Sequence, residues 1–234
     1  TSVHGKITPE TIDEQAYGFG DEHHPQPAVV SIAQSTELGT VYTVAEVRAI
    51  ADHAHSKGML LHMDGARISN AAASLGVSLR AITRDAGVDV LSFGGTKNGL
   101  MGAEAIVVFP PEAAPGLKYL TKMNMQLASK MRFASAQLVA LLEGDLWHRN
   151  AHHANKMAAL LRSSLDDVAG LTFTNPTEAN GVFVILPAGV ADELRKEFRF
   201  YDWNPATGEV RWMCAWDTTV DDVEAFVAAI TALV

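Results

Sequence analysis

His62-Met63-Asp64-Gly65-Ala66-Arg67, read together with Phe93-Gly94-Gly95-Thr96-Lys97-Asn98-Gly99, decides the fold of this chain. Each stretch closes an apolar run, residues 59–63 and 87–93, that reads as a buried strand. A carboxylate, a guanidinium and an amine would then converge at one end of a sheet. That is where ligands sit in open α/β sheets, outside the carboxyl ends of the strands. Working outward, residues 28–32 and 103–109 read as two more strands. Residues 67–75 and 79–85 can be short helices. Thr43-Val44-Ala45-Glu46 is a capping box that opens a helix with Val44, Val47, Ala51 and Ala54 on one face. Residues 7–17 carry a further helix signal, with Thr8 as N-cap and Pro9 at the first helical position. Strands alternating with helices predict an α/β fold: a mostly parallel sheet with helices on both faces.

Residues 111–167 read as helical with a break at Gly144, and then the pattern changes. Strand-like residues 171–174, 181–186 and 210–216 alternate with helical stretches 191–198 and 220–233, which predicts a small α+β unit. The expected division lies near Gly170, with residues 1–169 in a large α/β domain and 170–234 in a small C-terminal one.

With 234 residues, 48% of them hydrophobic, the chain can bury a full core. The net charge of -9 comes from 27 acidic against 18 basic residues, and no basic run is long enough to track a nucleic-acid backbone. Apolar runs such as 181–186 fall far short of the ~20 residues of a membrane span. The one cysteine, Cys214, leaves no disulfide framework, and no signal-peptide pattern opens the chain. A soluble, cytoplasmic protein is the expectation.

Taken singly, Asp64 reads as a helix cap and Lys97 as a solvated loop lysine. Together, in two strand-end loops of small residues, they suit pyridoxal phosphate. That cofactor needs a lysine for its Schiff base and an acid to keep its ring nitrogen protonated. His62 and Asp64, two apart on one strand face, also raise a metal site completed by His23, His24, His53 or His55. Without a paired cluster elsewhere that pattern is weak, and no metal is expected. His53 and His55 read as helix-surface residues, and His152 and His153 as an exposed helical pair. His23 and His24, in the polar loop 18–27, are equally solvated loop residues or acid–base groups. Arg211 interrupts the apolar run Val210-Arg211-Trp212-Met213, so it is either a structural ion-pair partner or a carboxylate receptor. Arg132 fits either a phosphate contact or a helix surface.

These residues resemble the threonine aldolase and β-eliminating lyase group of fold-type-I pyridoxal phosphate enzymes. His62-Met63-Asp64-Gly65-Ala66-Arg67 is similar to that family's pyridine-binding motif, and Thr96-Lys97 to its Schiff-base position. Thr36-Glu37-Leu38-Gly39 and Ser129-Lys130-Met131-Arg132-Phe133 look closest to a phenylserine-aldolase-like branch. The resemblance implies that Lys97 carries the cofactor, Asp64 pairs with the pyridine nitrogen and Arg67 contacts the phenolic oxygen. It further implies that Arg211 holds the substrate carboxylate and that His23 does acid–base work at the β-hydroxyl. Arg132 would reach the cofactor phosphate of a neighbouring subunit, so a homodimer or homotetramer is implied. The implied reaction is cleavage of L-β-hydroxy-α-amino acids to glycine and an aldehyde. A β-eliminating lyase or an aminotransferase would use the same residues, and a non-catalytic fragment or subunit retaining the fold is the reading from another class. Around the lysine, Thr96-Lys97-Asn98-Gly99-Leu100 departs from the family's usual Ser-Lys-Gly-Leu-Gly. The family also carries an upstream half-domain with a glycine-rich phosphate loop and a ring-stacking histidine. The chain opens on Thr1 after both, so the expectation is either a fragment or a separate chain that supplies the rest.

Overall fold

Several helix boundaries in the computed structural model, which describes residues 3–234, follow from local chemistry. Helix α1 (Pro9–Gln15) begins where Thr8 Oγ1 accepts from Thr11 N–H, with Pro9 in the first turn. Helix α2 (Val44–Ser56) begins at the expected capping box, Thr43 Oγ1 accepting from Glu46 N–H while Glu46 accepts from Thr43 N–H. Helix α3 (Ile68–Leu75) stops at Gly76, whose φ of 65° is the left-handed conformation that a helix C-terminus favours. A short α4 (Leu79–Ile82) follows.

The first sheet runs β1 (Val29–Ala33), β2 (Leu60–Gly65), β3 (Val90–Gly94), β4 (Glu104–Val108) in spatial order. β1, β2 and β3 are parallel, and β4 is antiparallel to β3. The reversal has a simple cause. The β3–β4 connection is too short for a crossover, and only an antiparallel return is compatible with it. Side chains alternate as the pleat demands. Val30, Ile32, Leu61, Met63, Leu91 and Phe93 are buried in one cluster with Val47, Ile50, Ala51 and Ala54 of α2 and Ile68, Ala71 and Ala72 of α3. Val29, Ser31, Asp64 and Ile106 lie on the opposite face and are exposed. The α/β class and the mostly parallel sheet stand as expected, while the helical cover among the described residues lies on one face.

The helical stretch resolves into α5 (Leu117–Met123), α6 (Arg132–Leu142) and α7 (Leu146–Ser164), with Gly144 between the last two at a φ of 78°. α7 ties the molecule together. Its Asn155 exchanges hydrogen bonds with Asn70 of α3 at 3.0 and 2.9 Å, while its Met157, Ala158 and Leu161 enter a second core. That core lies under an antiparallel sheet of spatial order β5 (Thr172–Phe173), β6 (Gly181–Ile185), β8 (Glu209–Met213), β7 (Tyr201–Asn204). Val182, Val184, Val210 and Trp212 face the core, joined by Val190 and Leu194 of α8 (Val190–Leu194) and Val223 and Ile230 of α9 (Val220–Thr231). The other face presents Phe183 and Arg211, which are register partners. Edge strand β7 is not visible in the sequence pattern, because Tyr201-Asp202-Trp203-Asn204 mixes polar and aromatic residues on a short, mostly exposed edge. No helix among the described residues is long and apolar enough to cross a membrane.

Candidate active site

Asp64 and Lys97 lie at the carboxyl ends of adjacent parallel strands. Asp64 stands in register with Ala33 of β1 and Ser92 of β3. Its Oδ1 accepts from Ala66 N–H at 2.9 Å, which fixes the turn leading to Arg67. Oδ2 has no hydrogen-bond partner among the described residues, and the side chain is exposed. Lys97 occupies a single 3-10 turn, Thr96–Asn98, directly after β3. Its amine is exposed, with no hydrogen bond or ion pair among the described residues.

The lysine turn is nevertheless held firmly. Glu104 at the start of β4 accepts from Gly95 N–H and Thr96 N–H, both at 3.2 Å. Asn98, buried, donates to Trp147 O at 2.9 Å, and Asn150 donates to Asn98 O at 2.9 Å, so the turn is stitched to α7. Two glycines make the approach possible. A Cβ on Gly94 would lie 2.6 Å from both Cα and O of Ala66, and one on Gly95 would lie 2.5 Å from Ala103 O. Only glycine lets the lysine turn sit this close to the Asp64–Arg67 turn.

Beside these ends is a cavity lined by Ser35, Thr36, Glu37, Arg67, Asn180 and Arg211, among others. Neither Arg67 nor Arg211 has a carboxylate at ion-pair distance among the described residues. Arg211 Nε and Asn180 Oδ1 are buried without a hydrogen-bond partner. Burial first, and then the like charge of Arg211, pulls Arg67 below the ordinary guanidinium range, with Asp64 opposing. A guanidinium stays protonated even so. Two half-buried cations without a carboxylate partner around one cavity favour a planar anion, for which the guanidinium fork is matched. The Arg211 guanidinium also lies 4.9 Å from the centre of the Trp203 ring, and Trp203 meets Phe183 edge-on at 5.3 Å.

One wall of this cavity enters the sequence reading only as the Thr36-Glu37-Leu38-Gly39 stretch of the resemblance, with no role assigned to it. Residues 34–42 form a loop pinned from several sides. Gln34, fully buried, donates to Tyr42 O and accepts from Tyr42 N–H, at 2.7 and 3.1 Å. Thr36 and Thr40 hydroxyls meet at 2.7 Å, and Glu178 accepts from Val41 N–H at 2.7 Å. Phe183 packs beneath Gly39, where a Cβ would come within 3.1 Å of its ring. The Glu178 and Phe183 contacts join residues more than a hundred positions apart, beyond the reach of any local pattern.

His23 and Arg132 stand apart. His23 is exposed in the loop 18–27, where its own N–H donates to Asp21, and Arg132 is exposed at the first turn of α6. Neither lines the cavity. His62 is held through both ring nitrogens, by Ser31 Oγ at 2.8 Å and Ser92 Oγ at 2.9 Å. His53 and His55 do more than decorate α2: they meet Asp13 and Asp89, each at 2.8 Å. His153 meets Thr218 O at 2.6 Å. Among the described residues, no group of three or more His, Cys, Asp or Glu side chains is arranged to hold a metal ion.

The family model of the beta-eliminating lyases matches residues 1–188. The chain belongs to that family. It is 46% identical over 230 residues to a low specificity L-threonine aldolase of a Pseudomonas species, covering 98% of this chain and 66% of that protein. It is also 46% identical over 220 residues to a protein of the same name from Pseudomonas aeruginosa, covering 94% of this chain and 63% of the relative. The chain therefore spans just under two thirds of the length of these beta-eliminating lyase relatives. Among solved structures, a threonine aldolase of Leishmania major superposes with a TM-score of 0.90 at 29% identity, over 98% of this chain and 68% of that one.

Proposed function

We propose that this chain carries the site of a pyridoxal phosphate-dependent lyase that cleaves L-β-hydroxy-α-amino acids, such as threonine, allo-threonine or phenylserine, to glycine and an aldehyde. The observation that carries the reading is the glycine-cradled lysine turn beside a cavity holding two unneutralised arginines. The names of the Pseudomonas relatives support the same substrate class.

The residues fit the cofactor by the chemistry of their donor set. Lys97 offers a free amine for covalent attachment, Asp64 Oδ2 an unused carboxylate oxygen for the ring nitrogen, and Arg67 a cation for the phenolic oxygen. When bound, pyridoxal phosphate supplies a protonated ring that withdraws electrons from the carbon left by bond cleavage. Asp64 keeps the proton on the ring nitrogen. Arg211 receives the substrate α-carboxylate through its fork and so fixes which bond at Cα stands ready to break. His23 is the proposed acceptor of the β-hydroxyl proton. Arg132, exposed and remote from the cavity, is assigned to the cofactor phosphate of a neighbouring subunit in a homodimer or homotetramer. The division into 1–169 and 170–234 belongs to the same proposal.

The test is product analysis of the full-length holoenzyme with allo-threonine. Glycine and acetaldehyde in equal amounts support the reading. A 2-oxo acid, with ammonia or an amino-group acceptor consumed, would replace it by β-elimination or transamination.

A further inference from the structure

Trp203 occupies an unusual place in the small sheet. β7 pairs with β8 through Tyr201↔Arg211 and Asp202↔Val210, and then through Asn204↔Glu209, so Trp203 is an extra residue with no partner across the ladder. Such a bulge re-aims a side chain, and bulges gather beside active sites. Here the indole is turned onto the face of the sheet that carries Arg211. Its ring lies 4.9 Å from the guanidinium carbon, and its edge contact with Phe183, at 5.3 Å and 80° between planes, holds the ring in that attitude. Phe183 is itself buried and is the register partner of Arg211. Nothing else named in the structure holds the fork. Arg211 Nε is buried without a partner, and no ion pair or hydrogen bond to Arg211 exists among the described residues.

We propose that Trp203 is a positioning residue for Arg211: the bulge of β7 sets its ring as the platform on which the guanidinium is oriented toward the carboxylate of the amino-acid substrate. The inference rests on the reading of Arg211 as the carboxylate receptor. A cation held over an indole is pre-organised for an incoming anion, and the contact with the ring uses none of the guanidinium's hydrogen-bond donors. Trp203 is thus a determinant of amino-acid affinity that acts through Arg211, without touching the reacting atoms.

The test uses the full-length holoenzyme and reads KM and kcat for allo-threonine cleavage together with affinity for pyridoxal phosphate. Trp203→Leu should raise KM about five- to ten-fold, the size of a partly desolvated cation–π contact. It should change kcat and cofactor affinity by less than about two-fold, and Trp203→Phe, which keeps a ring face, should recover most of the loss. In an Arg211→Met background, which leaves no cation over the ring, Trp203→Leu should have little further effect, because coupled residues are not additive. Should Trp203→Leu fail to fold, Trp203→Thr, suited to an exposed edge strand, makes the same comparison. An unchanged KM in Trp203→Leu, with KM raised in Arg211→Lys, overturns the platform and leaves the Arg211 reading standing. Parallel loss of stability, kcat and cofactor affinity that persists in the Arg211→Met background overturns it in favour of plain packing. An unchanged KM in Arg211→Lys overturns the carboxylate reading beneath it.

Discussion

Gly94→Ala adds one methyl group where β3 passes the Asp64–Arg67 turn. The new Cβ would lie 2.6 Å from Ala66 Cα and 2.6 Å from Ala66 O, both backbone atoms, and ordinary contact begins at 3.4 Å. The two strand ends must therefore separate by about 0.8 Å. No flexible side chain can absorb the shift, and overpacking of this kind costs ~1–3 kcal/mol. The functional loss should be larger, because the displaced elements carry Asp64 and Lys97. A misplacement near 1 Å costs on the order of 100-fold in rate. Gly102→Ala is the matched control, since a Cβ there meets nothing within 4 Å. The assay pairs a denaturant melt with kcat/KM for allo-threonine and a pyridoxal phosphate titration. Wild-type stability and activity in Gly94→Ala would refute the argument that glycine is what permits the approach.

Asn98→Ala removes the donor to Trp147 O and should cost ~0.5–1.5 kcal/mol in a denaturant melt, the net worth of one hydrogen bond to a carbonyl that α7 itself still pairs. An unchanged midpoint would show that the lysine turn does not depend on its stitch to α7. Thr43→Ala should cost ~1 kcal/mol by removing the N-cap of α2, measured in the same way. Burial raises the Glu46 carboxyl, but hydrogen bonds from Thr43 and Lys6 outweigh it and hold the group below the ordinary carboxylate value. A depressed folded-state value means stability that is present above the unfolded value near ~4.3 and lost as pH falls through the folded one. Glu46→Gln should therefore flatten the acid-side fall in melting temperature, and an identical acid profile would contradict this. Burial pushes the Cys214 thiol up to about 11, so native protein at pH ~8 should resist a thiol reagent that modifies the unfolded chain at once.

Local signals carried much of the fold. Capping at Thr8 and Thr43 and the apolar runs that end in Asp64 and before Lys97 are chemistry within a few residues, and all can be read directly. The antiparallel return of β4 follows from a short loop, yet pattern alone shows only that a strand exists there. β7 escapes because the residue that matters, Trp203, sits in a bulge that breaks the alternation by which strands are recognised. The arginines of the cavity illustrate a different limit. Arg211 stands out as a charge in an apolar strand, but its proximity to Arg67 depends on the fold of residues far apart in sequence. Asn180 and Phe183 shape the same cavity, and their partners Cys214 and Gly39 come to them only through the fold, where no spacing rule reaches. His53 and His55 resemble surface residues for the same reason, since Asp13 and Asp89 come to them only through tertiary packing.

The central claim is that Lys97 is the attachment point of pyridoxal phosphate, and the most direct measurement is borohydride reduction of the full-length protein with the cofactor, followed by peptide mass mapping of wild type and Lys97→Ala. The account predicts a visible absorption band and a reduced cofactor adduct on the peptide containing Lys97, both lost in Lys97→Ala. A band and a reducible adduct that persist in Lys97→Ala, or an adduct mapped to another lysine, would contradict it.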